Sequence, residues 1–143
     1  ILLRQKNIKN CLGCLNCQTI NNCFVDDDMS SIMRTMENSD LIVFGIPNYF
    51  ANVPGLAKTF IDRCHPFYTN QKLKGKKIYY IYVGGGKEDG TEEWLNYCTY
   101  GFNKYLGLNK IGTKTYKLLY NDDIKKLNTN FDELLIDIKN NII

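Results

Sequence analysis

The chain has 143 residues, 44% of them hydrophobic and 23% charged. That composition excludes a disordered or fibrous polypeptide and suits one globular domain, residues 1–143, with its own core. The net charge of +3 is small and dispersed; the densest basic stretch, Lys72 to Lys77, reads as a solvated loop ahead of a strand, so no nucleic-acid partner is expected.

No apolar run approaches the ~18 residues of a membrane span. Ile1 to Asn10 has neither an apolar h-region nor a small-residue cleavage site, so no secretory signal is read there. The chain starts at Ile1 rather than Met and reads as a fragment or processed piece. Four of its six cysteines fall between Cys11 and Cys23. In a chain large enough to bury a core, that clustering fits ligand cysteines in a reducing cytoplasm better than a secreted disulfide framework.

In chain order, Ile1 to Arg4 is a short apolar start, read as a strand. The cysteine loop runs from Cys11 to Val25. Asp26, Asp27 and Asp28 then supply capping groups and negative charge for a helix beginning near Met29, with Ile32, Met33 and Met36 on its apolar face. Asp40 to Gly45 is a continuous apolar run bounded by turn signals, the pattern of a strand buried on both faces of a parallel sheet.

Gly55 to Cys64 reads as a helix with Leu56, Phe60 and Ile61 on one side. Lys77 to Val83, rich in β-branched and aromatic residues, is another buried strand, ended by Gly84, Gly85 and Gly86. Thr91 caps a helix to about Leu106 that Gly107 closes. A further strand lies within Leu108 to Leu119, placed at Lys114 to Leu119. Asp122 or Asp123 opens a last amphipathic helix with Leu127, Phe131, Leu134, Leu135 and Ile138 at helical spacing. This alternation predicts an α/β fold with a parallel sheet and right-handed crossovers. Ligands in such sheets bind beyond the carboxyl ends of the strands, which points to the loops Gly45 to Pro54 and Gly84 to Gly90.

The cysteines follow C-x2-C-x2-C-x5-C: Cys11, Cys14, Cys17 and Cys23. A cubane cluster takes four thiolates, and close spacing lets one loop wrap it; Gly13, Asn21 and Asn22 tolerate the bends. Two readings stand beside this one. One is a four-cysteine zinc site, although such sites usually pair two separated C-x2-C knuckles. The other is metal-free: packed thiols or a redox disulfide. Cys64 and Cys98 fall within helices and read as packed thiols. His65, the sole histidine, precedes Pro66 at a helix end and reads as a surface or capping group. No G-x-S-x-G elbow supports hydrolase chemistry, and the Asp26 to Asp28 spacing is wrong for an EF-hand.

Taken together, Cys11 to Cys17, Cys23 to Met29, Ser39 to Gly55 and Lys58 to Arg63 resemble the iron–sulfur flavoproteins. These lie within the NAD(P)H-dependent FMN reductase group, which has a flavodoxin-like fold: an open parallel sheet with helices on both faces. The resemblance is motif-level over Cys11 to Gly90 and layout-level beyond. It implies FMN and a [4Fe-4S] cluster exchanging electrons, NAD(P)H as donor, a homodimer or homotetramer, and a redox partner protein or small-molecule acceptor. Its flavin loops match Pro47, Asn48, Tyr49, Phe50, Ala51 and Asn52, and Gly84, Gly85 and Gly86; its cluster ligands match the four clustered cysteines. The family's first strand and Ser/Thr-rich phosphate loop have no counterpart, and Ile1 falls at its second strand, so the fold is expected to be N-terminally truncated. The alternatives are an NAD(P)H-dependent FMN or quinone reductase without a cluster, and a non-catalytic metal-binding or interaction fragment. Beside the flavin reading, Tyr49 and Phe50 also read as core or interface aromatics and the three glycines as a flexible loop.

Overall fold

The computed structural model describes residues 1–84, 90–117 and 131–142. Its helices are α1 (Cys17–Ile20), α2 (Met29–Glu37), α3 (Gly55–Arg63), α4 (Pro66–Asn70), α5 (Thr91–Leu106) and α6 (Phe131–Ile142), and its strands are β1 (Leu41–Pro47), β2 (Lys77–Gly84) and β3 (Asn109–Lys117). The three strands form one parallel sheet in the order β1-β2-β3. Parallel neighbours need a crossover, and α3–α4 and α5 supply the two.

β2 sits in the middle and is buried along most of its length. Its alternate residues serve two layers. Ile78, Tyr80 and Tyr82 join a core with Phe44 and Ile46 of β1, Met29, Ile32, Met33 and Met36 of α2, Phe60 of α3, and Leu95, Phe102 and Leu106 of α5. Phe44, Phe60 and Phe102 meet at ring-centroid distances of 5.2 to 6.2 Å, with the first pair edge-to-face, the geometry aromatic quadrupoles favour. Tyr79 points the other way and donates its hydroxyl to Asp137 of α6. Gly112 of β3 lies under that ring, where a Cβ would come within 2.7 Å of it. The flavodoxin-like α/β expectation therefore holds, with helices flanking the sheet.

Several boundaries differ from expectation. Ile1 to Arg4 is not a strand. Leu3–Gln5 forms a 3-10 turn closed by Gln5 N to Leu2 O and Lys6 N to Leu3 O, both 3.0 Å, with Leu3 resting on the core. β1 is not buried on both faces: Val43 is 45% exposed. Val43 pairs with Tyr79 and so faces the α6 side, but α6 packs on β3. Among the described residues β1 pairs with β2 alone. Along its other side runs a cavity of about 760 Å³ lined by Leu2, Ile32, Val43, Tyr49, Leu56 and Phe60, among others.

Leu56 is accordingly exposed, and α3 packs through Ala57, Phe60 and Arg63 instead. β3 begins at Asn109, five residues before the expected Lys114, because Lys77 pairs with Asn109 and pulls polar residues into the ladder. Gly90, not Thr91, occupies the N-cap of α5; Gly107 closes that helix in the left-handed conformation (φ 67°) as expected. In α6, Leu134 is buried while Leu135 is exposed. The expected opening of the last helix at Asp122 or Asp123, and Leu127, lie outside the described residues.

Candidate functional site

β1 and β2 end side by side, Pro47 opposite Val83. Asn48 ties these ends together. Its backbone N–H donates to Val83 O at 2.7 Å and its side-chain amide donates to Thr91 Oγ1 of α5 at 3.2 Å. The remaining amide oxygen, Oδ1, is buried without a hydrogen-bond partner among the described residues. A buried acceptor left unsatisfied costs about 1–3 kcal/mol, so it marks a position where a donor belongs.

Tyr49 and Asn52 then close a two-residue hairpin through reciprocal backbone hydrogen bonds of 2.9 and 3.0 Å. The residues between them, Phe50 (φ 51°) and Ala51 (φ 57°), are both left-handed. Turns with two positive φ values favour Asn-Gly; non-glycine residues there cost roughly 1–2 kcal/mol each. Phe50 is fully exposed and Tyr49 mostly so. A strained turn that holds an aromatic ring out in solvent at the carboxyl end of a parallel strand is a candidate binding device.

Of the second expected loop, Gly84 is the buried last residue of β2. A Cβ on it would stand 2.3 Å from Thr91 Oγ1, so glycine is required there by the start of α5. Gly85 and Gly86 lie outside the described residues.

The cysteine loop lies at the far end of α3. Gly13 (φ 64°), Leu15 (φ 60°) and Asn21 (φ 56°) give it three left-handed bends. Left-handed residues next to right-handed ones are the backbone pattern from which concavities for anionic groups, iron–sulfur centres among them, are built. α1 forms between two of the bends. The loop is tied down by Thr59 Oγ1 to Asn10 Oδ1 (3.2 Å) and Asn70 Nδ2 to Asn21 O (3.1 Å).

All six cysteines are free thiols; Cys11 and Cys14 are exposed, Cys17 and Cys23 half-buried. Burial pushes the Cys17 thiol up, and Cys23, Cys11 and Cys14 lie near enough to push it further. Mutual repulsion of this kind is what a bound cation relieves. Among the described residues, no three His, Cys, Asp or Glu side chains stand close enough together to hold a metal ion. Cys64 is buried, which pushes its thiol well up; Cys98 donates to Asn52 Oδ1 at 3.4 Å. Both are packed thiols, as expected.

Two residues given no site role by the sequence complete the site. His65, read as a surface or capping group, is half-buried and makes no cap bond. Its Nδ1 lies 3.2 Å from Cys17 Sγ. Arg63 sits beneath the loop in a bidentate pair with Asp27, at 2.6 and 3.0 Å; the two side chains are 1% and 0% exposed. Arg63 also donates to Lys9 O at 2.8 Å, and Asp27 accepts from Lys9 N and Met29 N. One ion pair thus joins the strand of chain entering the loop, the chain leaving it and the end of α3. Burial alone would raise the Asp27 carboxyl, but these hydrogen bonds and the Arg63 charge outweigh it and hold it below the usual carboxylate range. Separations of 36 and 48 residues hide both contacts from the sequence.

The family model described as NADPH-dependent FMN reductase matches residues 1–98. The chain belongs to this family. The FMN reductase relatives include an iron-sulfur flavoprotein of Archaeoglobus fulgidus, 35% identical over 66% of this chain and 44% of its own length. Another, from Methanocaldococcus jannaschii, is 32% identical over 64% of this chain and 48% of its own length. The chain therefore spans about half the length of the curated relatives it matches. Among solved structures, general stress protein 14 of Treponema denticola in complex with FMN superposes with a TM-score of 0.60 at 17% identity, covering 81% of this chain and 74% of that one. That likeness shows the flavodoxin-like fold.

The residues of this FMN reductase family member carry donor and acceptor chemistry that bears on both groups its relatives' name implies. The orphaned Asn48 Oδ1 can accept from a donor on the polar edge of a flavin, and Tyr49 and Phe50 offer flat apolar cover. The four thiols match the donor set of a cubane cluster in number and in chemistry. No helix among the described residues is long and apolar enough to cross a membrane.

Proposed function

We propose that this chain is part of a flavin-dependent oxidoreductase in which FMN exchanges electrons with a [4Fe-4S] cluster held by Cys11, Cys14, Cys17 and Cys23. The observation that carries the reading is the pairing of two devices on one helix. The strained hairpin around Phe50 leads into the start of α3, and the buried Arg63 beneath the cysteine loop stands at its end.

Bound flavin supplies two-electron chemistry with organic donors, NAD(P)H by the family's name, while a cluster passes one electron at a time. The chain's own residues do the holding. Asn48 locks the ends of β1 and β2 and presents its free acceptor; Pro47 and the backbone of Tyr49 to Asn52 shape the turn; Gly84 keeps α5 close. The half-buried thiols and the buried arginine beneath them limit water on the inner side of the cysteine loop. A homodimer or homotetramer is supported by the exposed aromatics of α5, Trp94, Tyr97, Tyr100 and Tyr105, which are costly to leave in water.

Anaerobic preparation tests the reading. Iron, acid-labile sulfide and, on adding FMN, quenching of its fluorescence are expected. Absence of all three contradicts it. Flavin binding without iron would favour the family's cluster-free reductases.

A further inference from the structure

The stretch Arg63-Cys64-His65 turns from α3 into α4 directly against the cysteine loop; Arg63 clasps the loop, and His65 has no part in that ion pair. His65 Nδ1 lies 3.2 Å from Cys17 Sγ. A metal-bound thiolate can only accept, so the tautomer with the proton on Nδ1 is the one that fits. The His65 ring is braced by Tyr68, with centroids 5.7 Å apart, and Tyr68 in turn by Tyr105 at 6.0 Å, which holds the donor in place.

The neighbouring Arg63 is already committed to Asp27 and to Lys9 O, which leaves His65 as the group on this stretch with a hydrogen bond to a ligand sulfur.

Resting on the cluster reading, we infer that His65 is a positioning residue that sets the cluster's reduction potential upward by hydrogen bonding to the Cys17 sulfur. Reduction adds one electron, and so one negative charge, to a group already carrying four thiolates. A donor at a ligand sulfur stabilises the reduced form more than the oxidised one.

The test is a potentiometric titration, followed by electron paramagnetic resonance, of the reconstituted 143-residue chain. His65→Phe keeps a ring but removes the donor; His65→Asn restores an N–H. With iron content unchanged, H65F is expected to accept the electron about tenfold less readily, equal to about 59 mV for a one-electron couple, and H65N to recover part of that. A fully iron-loaded H65F with an unchanged potential overturns the inference and leaves the cluster reading standing. Should H65F fail to hold iron, Tyr68→Leu, which removes the ring bracing His65 without touching a ligand cysteine, decides: a lowered potential supports the inference and an unchanged one overturns it. An unmodified chain that assembles no iron overturns both.

Discussion

Replacing Arg63 by Met removes the cation that holds the cysteine loop onto α3 while leaving Asp27 in place. The structure sets the size of the effect. Both side chains are out of solvent, the pair is bidentate, and Arg63 also satisfies Lys9 O. Breaking such a buried pair from one side costs about 3–5 kcal/mol, mostly because the remaining charge is stranded. For a domain of this size that is a fall in melting temperature of about 10–15 °C. The double variant D27N/R63M strands no charge and is expected to regain more than half of the loss, a coupling measurable by a double-mutant cycle.

The pH dependence has a definite sign. In the unmodified chain the Asp27 carboxyl is held below its unfolded value of about 3.9. Its contribution is fully present above that value and is lost as the pH falls through the lower folded value. In R63M the partner is gone and burial raises the carboxyl instead, so the deficit against the unmodified chain should shrink as the pH is lowered. Urea unfolding at neutral and acid pH is the assay. An R63M loss below about 1 kcal/mol at neutral pH, or no convergence in acid, would refute the assignment of this pair as the clasp of the loop.

Three further outcomes are expected. Phe50→Gly relieves a left-handed non-glycine residue whose side chain is fully in solvent, so urea unfolding should show a gain of about 1 kcal/mol, while flavin affinity, read by fluorescence quenching, should fall. Gly84→Ala places a methyl 2.3 Å from Thr91 Oγ1 and should cost about 1–3 kcal/mol; combining it with Thr91→Ala, which removes both clashing side-chain atoms, should recover part of that. Asn48→Leu removes the tie to Thr91 and the free acceptor together, and should weaken FMN binding more than it weakens the fold, read by comparing quenching with unfolding on the same variant.

Local signals in the sequence located most elements because local physics decided them. The Val, Ile and Tyr run of β2, the apolar face of α2 and the left-handed Gly107 closing α5 are all short-range features. Errors arose where a neighbour decided. β1 looks like a doubly buried strand, but Val43 is exposed because α6 packs on β3. Ile1 to Arg4 has strand composition but no strand beside it, and curls into a turn. Asn109 to Thr113 has weak strand chemistry and joins the ladder because β2 recruits it.

At the candidate site the same division holds. The cysteine spacing and the Pro47 to Asn52 motif were legible as motifs. The left-handed strain at Phe50 and Ala51 was not, since neither residue type advertises positive φ. His65 and Arg63 acquire their meaning from Cys17 and Asp27, far away in sequence.

The central claim is that Cys11, Cys14, Cys17 and Cys23 together hold one cluster. Iron and sulfide analysis of anaerobically reconstituted chains, each cysteine replaced in turn by serine, tests it most directly. About four iron and four sulfide ions per unmodified chain are expected, with loss in each of the four loop variants and retention in C64S and C98S. Equal iron in all six variants, or zinc in place of iron and sulfide, would contradict it.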